Sequence, residues 1–360
     1  MKWPTMHSII LSGDGPRNRL LSWLIVALVL FMLVAPFLGM GQAMLNTLIR
    51  IAIFVVLVAS FDLLLGYTGL ISFAHTMFFG IGAYAIGLTL ERGGPYFSSL
   101  LIGVLFGLAL TLILAWVIAI FSIRVRALFF AMITLAVAHV FYVVVTQQYV
   151  LTGGHDGKNF HIPKMLRPSN VIWRIENLDV SVTGSTLVYL GIILLCILCF
   201  LAMLKIVNSY FGCALMAIRE NEFRAEAIGV DVLRCRVIVS CISACFACLA
   251  GCLYAVWVKY VSPDATMSIQ IMLDILLMTV IGGMGTLYGA IVGSTLYVFA
   301  ENYLKEVISA LSLTAGDIPV LSAIANPDRW IFWLGLLFVL CIYYFPEGIV
   351  GRMRREIEHE

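Results

Sequence analysis

Apolar runs the length of a bilayer crossing recur along the whole chain, separated by short polar or glycine-rich stretches. A crossing helix needs about 20 mostly apolar residues. The runs predict spans at 20–38, 47–65, 69–90, 98–121, 127–148, 186–206, 237–258, 269–281, 285–303 and 330–346. Hydrocarbon satisfies no backbone N–H or C=O group, so each run must be a helix or a strand of a closed barrel. Barrel strands alternate apolar and polar positions over about ten residues, and runs such as 20–38 and 186–204 do not. The pattern therefore predicts an all-α integral membrane protein with about ten transmembrane helices, in a single domain over 1–360.

Composition agrees. The chain is 62% hydrophobic and 12% charged, with mean hydropathy +1.04, whereas soluble domains carry roughly 25% charged residues. A net charge of +2 is no argument for nucleic acid, and lipid is the expected surroundings. Where the charges fall matters more, because Lys and Arg concentrate on the cytoplasmic side. Lys2, Arg17 and Arg19 place the tail 1–19 inside. Arg124 and Arg126 follow, then Lys205, Arg219, Arg224, Arg234 and Arg236 around the loop 207–236. Arg352, Arg354 and Arg355 put the tail 347–360 inside too. Two cytoplasmic termini require an even number of crossings, so the glycine-rich stretch 282–285 counts as a turn and the total is ten. The loop 149–185 is then exterior, and its Lys158, Lys164, Arg167 and Arg174 are offset by Asp156, Glu176 and Asp179. The first run is longer than a signal-peptide core and is expected to be a retained span, with a cleaved signal as the alternative.

Four segments precede the sixth span (47–148) and four follow it (237–346), starting on opposite sides of the membrane. That is the plan of an inverted repeat, common among transporters. Any chain with an even number of spans divides this way, however, and the glycine breaks fall between different segments of the two blocks.

Within this frame a few polar features carry candidate chemistry. The stretch 214–228 reads as one charged helix, with Leu215, Ile218 and Ala225 among Arg219, Glu220, Glu222, Arg224 and Glu226, and Gly229 as its C-cap. Acids and bases nearly balance, which suits a protein groove better than an anionic lipid surface; a plain solvated connector is the alternative. Two glycine breaks interrupt apolar runs: Gly66 and Gly69, followed by Ser72 and His75, and later Gly282 and Gly283 before Gly285. Interrupted helices can offer backbone groups to a solute, or the glycines serve a tight turn. Gly285, Gly289 and Gly293 recur at steps of four and predict close helix packing. Ionisable groups inside spans are costly, so His75, His139, Asp62 and Asp274 (with Gln270 one turn earlier) are pathway candidates, or else interhelical hydrogen bonds.

Other chemistries find little support. Cys241, Cys245, Cys248 and Cys252 lie on one helix face, but the first and last are about 16 Å apart, too far for one metal ion. Most of the nine cysteines sit in apolar runs and form no disulfide framework. A phosphate-binding loop needs G-x-x-x-x-G-K-[ST]; the nearest stretch, at Gly157-Lys158, has Thr152 and Asn159 at required positions. The chain is expected to be non-catalytic and to bind no cofactor or metal.

Six stretches in order carry a resemblance: GYTGLISFAHTMFFGIGAY (66–84), RALFFAMITLA (126–136), TGGHDG (152–157), ALMAIRENEFRAEAIGV (214–230) with SACFACLAGCLYA (243–255), IGGMGTLYGAIVGS (281–294) and FPEGIVG (345–351). Together they resemble the LivM-type permeases, membrane subunits of ABC importers for branched-chain amino acids and related small polar solutes. The resemblance implies a bacterial inner-membrane, multi-pass subunit. Its implied partners are a related permease, two cytoplasmic ATPases that hold ATP and magnesium, and an extracytoplasmic solute-binding protein docking on 149–185. It also implies that 214–229 is the helix that couples to the ATPase, with Arg219, Glu220, Asn221, Glu226 and Gly229 as contact or shape-determining residues. The broader importer pattern, Glu-Ala-Ala followed by Gly four residues later, stands here as Glu226-Ala227-Ile228-Gly229. The implied solute is a branched-chain amino acid, with urea, amides or aromatic acids as alternatives. A proton-coupled secondary transporter or channel using Asp62, His139 or Asp274 is the competing class.

Overall fold

The computed structural model describes residues 19–39, 41–122, 127–167, 171–175, 180–314, 330–345 and 348–351. These form a predominantly helical bundle. The long helices are α1 (Arg19–Val34), α2 (Gln42–Thr68), α3 (His75–Gly93), α4 (Phe97–Ser122) and α5 (Ala127–Gln147). After the short α6 (Tyr149–Thr152) come α7 (Gly184–Val207), α8 (Tyr210–Glu220), α9 (Glu222–Ala227) and α10 (Val232–Val258). The short α11 (Pro263–Thr266) precedes α12 (Ile269–Gly282), α13 (Leu287–Thr314) and α14 (Trp330–Tyr344). Among the described residues, six helical stretches are long and apolar enough to cross a membrane: Gln42–Thr68, Phe97–Phe121, Phe129–Gln147, Gly184–Val207, Val232–Val258 and Pro263–Gly282. The charges expected at 1–18, 124, 126 and 352–355 lie outside the described residues.

α2 forms the axis of the bundle. Nearly every side chain from Thr47 to Thr68 is buried, so this helix is apolar all round because it meets protein on all sides. Around it pack α7, α8, α10, α12 and α13. By contrast, α4 shows Leu101, Leu105, Ile113, Trp116 and Phe121 on its outer face, an apolar surface suited to lipid. Small residues set the closest approach, between α3 and α10. A Cβ on Gly251 would meet the Phe79 backbone, and one on Gly82 the Cys248 backbone. Cys252 Sγ also lies 3.4 Å from the Gly82 carbonyl. Van der Waals contact of this kind, rather than a hydrophobic drive, holds helices together in lipid.

The bundle has two ends. The lower one gathers the loop after α2, the α8–α9 pair, the α12–α13 turn and residues 348–351. The upper one gathers the turn before α4, the segment 148–167 and the link from α10 to α12. There β1 (Lys158–Asn159) pairs antiparallel with β4 (Tyr260–Val261), and Lys158 Nζ bonds the Glu91 carboxylate at 2.9 Å. A hairpin joins β2 (Val171–Ile175) and β3 (Val180–Thr183).

Two elements differ from the sequence expectation. The run 69–90 is not helical throughout: residues 69–74 are irregular and α3 starts only at His75. The charged helix expected over 214–228 is two helices, broken at Asn221, whose extended backbone (φ −160°) cannot continue a helix. Its side chain instead caps α9 by accepting the Arg224 N–H at 3.0 Å. Gly229, at φ +90°, closes α9: its N–H bonds the Glu226 carbonyl at 2.9 Å, and Val230 N–H reaches Ala225 O at 3.0 Å. That pair of bonds is the Schellman ending for which glycine is suited.

Candidate functional site

Both glycine breaks and the charged loop meet at the lower end. Asp62, buried on α2, accepts the Gly285 N–H on its two carboxylate oxygens at 2.9 and 3.2 Å. One turn on, the Gly66 carbonyl accepts a hydrogen bond from Arg219 Nη1, at the end of α8. Gly285 sits at φ +86°, and a Cβ there would come 2.7 Å from Arg219 Nη1. A Cβ on Gly66 would lie 2.5 Å from Gly285 N and 2.7 Å from Asp62 Cγ. Gly69, at φ +73°, caps α2 through its N–H to the Leu65 carbonyl. Gly283, at φ +113°, has Gly348 packed against its backbone. Gly282 and Gly293 would press a Cβ onto Gly289 and Met278 backbone atoms respectively, so α12 and α13 form a close hairpin. The junction thus ties an intramembrane carboxylate, two chain breaks and a surface helix to one another.

The surface side of this junction is open. Ile218, Ala225 and Val232 form a small apolar cluster that joins α8, α9 and α10, and Arg236 forks onto Glu222 at 2.8 and 2.9 Å. Those contacts fix the pair of helices, yet Phe223 is 84% and Ile228 77% exposed. Glu220, Asn221, Glu226 and Gly229 are exposed beside them. Rigidly held aromatic and aliphatic side chains amid balanced charge have the make-up of a protein contact.

The second group of features lies deeper. His75 Nε2 meets Ser243 Oγ at 2.8 Å, and Ser243 in turn donates to the Ser60 carbonyl. Ser243 is the twelfth residue of α10, about 16 Å up that helix, so α3 begins well inside the bundle. Its ring packs edge-on to Phe61 at 5.1 Å and is fully buried; His75 is an interhelical bond. Ser72, also buried, lies 3.4 Å from the Ala74 N–H.

His139 is placed differently. It stands on the exposed face of α5, stacked on Tyr142 at 6.0 Å, and lines a cavity of about 220 Å³ with Phe73, Thr76, Ser268 and Met272. The starts of α3 and α12 meet at this cavity. Tyr142 donates to Asp264 Oδ1 at 2.5 Å, and His155 of the TGGHDG loop is 3.6 Å from the other oxygen. A larger cleft of about 550 Å³ between α3, α4 and α5 is almost wholly apolar. Its walls include Ile102 and Phe106, both more than half exposed, which marks it as a lipid-side groove.

Gln270 and Asp274 form a third group, bonded to each other at 3.3 Å. Tyr297 of α13 donates to Asp274, and near them Arg50 of α2 pairs with Glu301 at 2.9 Å. This polar seam links α2, α12 and α13 away from both cavities. Thr76, Tyr142, Asp264, Tyr297 and the Arg50–Glu301 pair were not expected from sequence. Tyr142 lies one helical turn from His139, the only local signal for any of them.

Residues 43–342 match the family model described as branched-chain amino acid transport system / permease component. The chain belongs to that family. Among curated relatives, the high-affinity branched-chain amino acid transport system permease protein LivM of Escherichia coli is 24% identical over 338 residues, covering 88% of this chain and 76% of the relative. Its Salmonella typhimurium counterpart is 25% identical over 290 residues, covering 77% and 67%. The probable LivM of Methanocaldococcus jannaschii is 24% identical over 329 residues, covering 81% and 88%. No solved structure matches the chain. As a branched-chain amino acid permease component with six long apolar helices among its described residues, it is a multi-pass membrane protein whose named homologues are transport subunits rather than enzymes.

Proposed function

We propose that this chain is one membrane-spanning subunit of an ABC importer, carrying a branched-chain amino acid inward by alternating access. Its partners on this reading are a related permease, two ATPases that bind ATP and magnesium, and a solute-binding protein. The lower end then faces the cytoplasm of a bacterial inner-membrane protein, and α8–α9 is the element that the ATPase engages. The observation that carries the reading is the Arg219–Gly66 bond beside Asp62 and Gly285. Through it, a force on an exposed helix reaches two chain breaks inside the bundle, and a ligand-driven shift needs such a two-sided contact.

A ten-crossing inverted repeat accompanies the proposal. It is supported by α3 and α12, which follow interrupted segments entered from opposite ends (the irregular 69–74, and 259–268, which holds β4 and α11) and start at the same cavity. The matching interruptions are then these two segments, rather than the two glycine breaks that the sequence brought forward.

Co-purification with the ATPases tests the assignment. Phe223→Asp together with Glu226→Lys should abolish it, since both side chains stand on the exposed face, while the detergent-solubilised permease keeps its elution profile. Unaltered co-purification would remove α8–α9 from the interface. ATP-independent uptake by liposomes holding this chain alone would favour the secondary-transporter class instead.

A further inference from the structure

The start of α3 is only partly capped. Ser72 Oγ accepts the Ala74 N–H at 3.4 Å, and among the described residues no side chain takes the N–H groups of the first turn. The first four N–H groups of any helix have no partner within it, and inside a membrane each one left bare is costly. α3 runs for 19 residues, and Ala74 at its N-cap supplies no side-chain bond. α12, which begins across the same cavity, is capped by Ser268 accepting the Ile271 N–H at 3.5 Å. In the first turn of α3, Thr76 is only 2% exposed and lines the cavity. Its hydroxyl has no hydrogen-bond partner among the described residues. Within helices, buried Thr hydroxyls commonly bond a preceding carbonyl, as Thr47, Thr68 and Thr279 do here, with Thr111 an exception. Thr76 does not either.

We propose that the first turn of α3, with the Thr76 hydroxyl, is the subsite for the carboxylate of a small amino acid in transit. An uncapped helix start concentrates partial positive charge and free donors on an anion. Thr76 adds one more donor at the same place. Asp264, bonded to Tyr142 at the cavity's edge, supplies the opposite charge toward the upper end, where the ammonium group belongs. Phe73, Leu135 and Met272 offer an apolar wall to the side chain. The cavity, about 220 Å³, holds the volume of roughly seven waters, the scale of a short aliphatic zwitterion rather than a peptide. A carboxylate arriving here satisfies the helix start for as long as the solute stays, so the site binds by completing the fold.

This subsite rests on the permease reading and is tested in two arms with L-leucine as the probe. In proteoliposomes holding the full transporter, Thr76→Val removes the hydroxyl and keeps the shape. Leucine uptake should fall about tenfold, the worth of one hydrogen bond to a charged group, while ATP hydrolysis stimulated by the binding protein persists. Thr76→Ser should restore uptake. Wild-type uptake by Thr76→Val, or an equal loss of uptake and stimulated hydrolysis in both variants, overturns the subsite. In nanodiscs holding this chain alone, Thr76→Cys should react with an anionic thiol reagent beyond the background of the unsubstituted chain. Leucine should protect it, and 3-methylbutan-1-amine, which is leucine without its carboxylate, should not. Equal protection by the amine, or none by leucine, also overturns the subsite. The second arm uses no ATPase. Protection without ATP-driven uptake in the wild type would therefore sink the importer reading and leave the carboxylate site standing.

Discussion

The lower junction and the mid-membrane cavity are both built from interrupted helices, and they treat the interruption in opposite ways. At the junction freed groups are taken up within the chain: Gly285 N–H by Asp62, the Gly66 carbonyl by Arg219, and the Leu65 carbonyl near the end of α2 by Gly69. Glycine replaces side chains wherever backbones touch. At the cavity the N-cap side chain closes one of the two helix starts and not the other, and beside the open one stands a hydroxyl without a partner among the described residues. A closed break transmits force; an open one waits for a ligand. Proteins depart from local satisfaction mainly where function requires it, and the comparison locates that departure at α3.

The largest effect should come from overfilling the closed side. Gly66→Val would drive two methyl groups into Asp62 and Gly285, at about 3 kcal/mol for overpacking alone, more once the Asp62–Gly285 bond is displaced. The expected outcome is loss of the monodisperse peak in fluorescence-detected size exclusion; a normal peak would show the junction to be looser than its geometry. Next, Arg219→Ala removes a charged donor from the Gly66 carbonyl, worth about 1.5–3 kcal/mol and reduced by the exposure of Arg219. It should lower the melting temperature in detergent and, on the importer reading, cut transport more than ATPase binding. Capping sharpens the other side. Ser268→Ala strips the cap of α12 and should destabilise the fold by about 1 kcal/mol, measured by thermal unfolding in nanodiscs. Ala74→Ser offers α3 the cap it lacks, and should raise stability by a similar amount while weakening leucine protection at residue 76. If Ala74→Ser leaves both unchanged, the start of α3 is not bare. An effect of the same size is expected at Gly229, where a Cβ meets open space. Gly229→Ala should cost about 1 kcal/mol through its positive φ alone, seen as a small shift in melting temperature.

The long elements were legible because hydrophobic length is a property of each run by itself. Gln42–Thr68 and Val232–Val258 contain the runs 47–65 and 237–258 with a few residues added at the ends. Hydropathy does not report whether an apolar stretch is helical, and so the irregular residues 69–74 were hidden inside a run that continues through Leu70, Ile71 and Phe73. The break at Asn221 was masked for a related reason. Leu215, Ile218 and Ala225 keep helical spacing across it, since α8 and α9 bury the same side. In the site, the glycine breaks and the charged loop were visible as separate motifs, but that Arg219 reaches Gly66 across 153 residues is a fact of packing. Thr76 carries no local signal at all. Its significance comes from Ala74 failing to cap and from α5 and α12 arriving beside it.

One helix gives these parts a common mechanical fate. α10 runs unbroken through 27 residues, about 40 Å, from its Asp231 cap beside the exposed α9 to Lys259, where the backbone turns to φ +61° and enters β4. Having no joint between, it behaves as a push-rod. α3 is keyed to its flank at Gly82 and Gly251, backbone against backbone, where the contact has no slack to absorb sliding. A displacement delivered at the lower end therefore reaches the Thr76 turn and the upper β1–β4 pair together, in one stroke. The gate and the grip of this protein would then keep time because they are bolted to the same shaft.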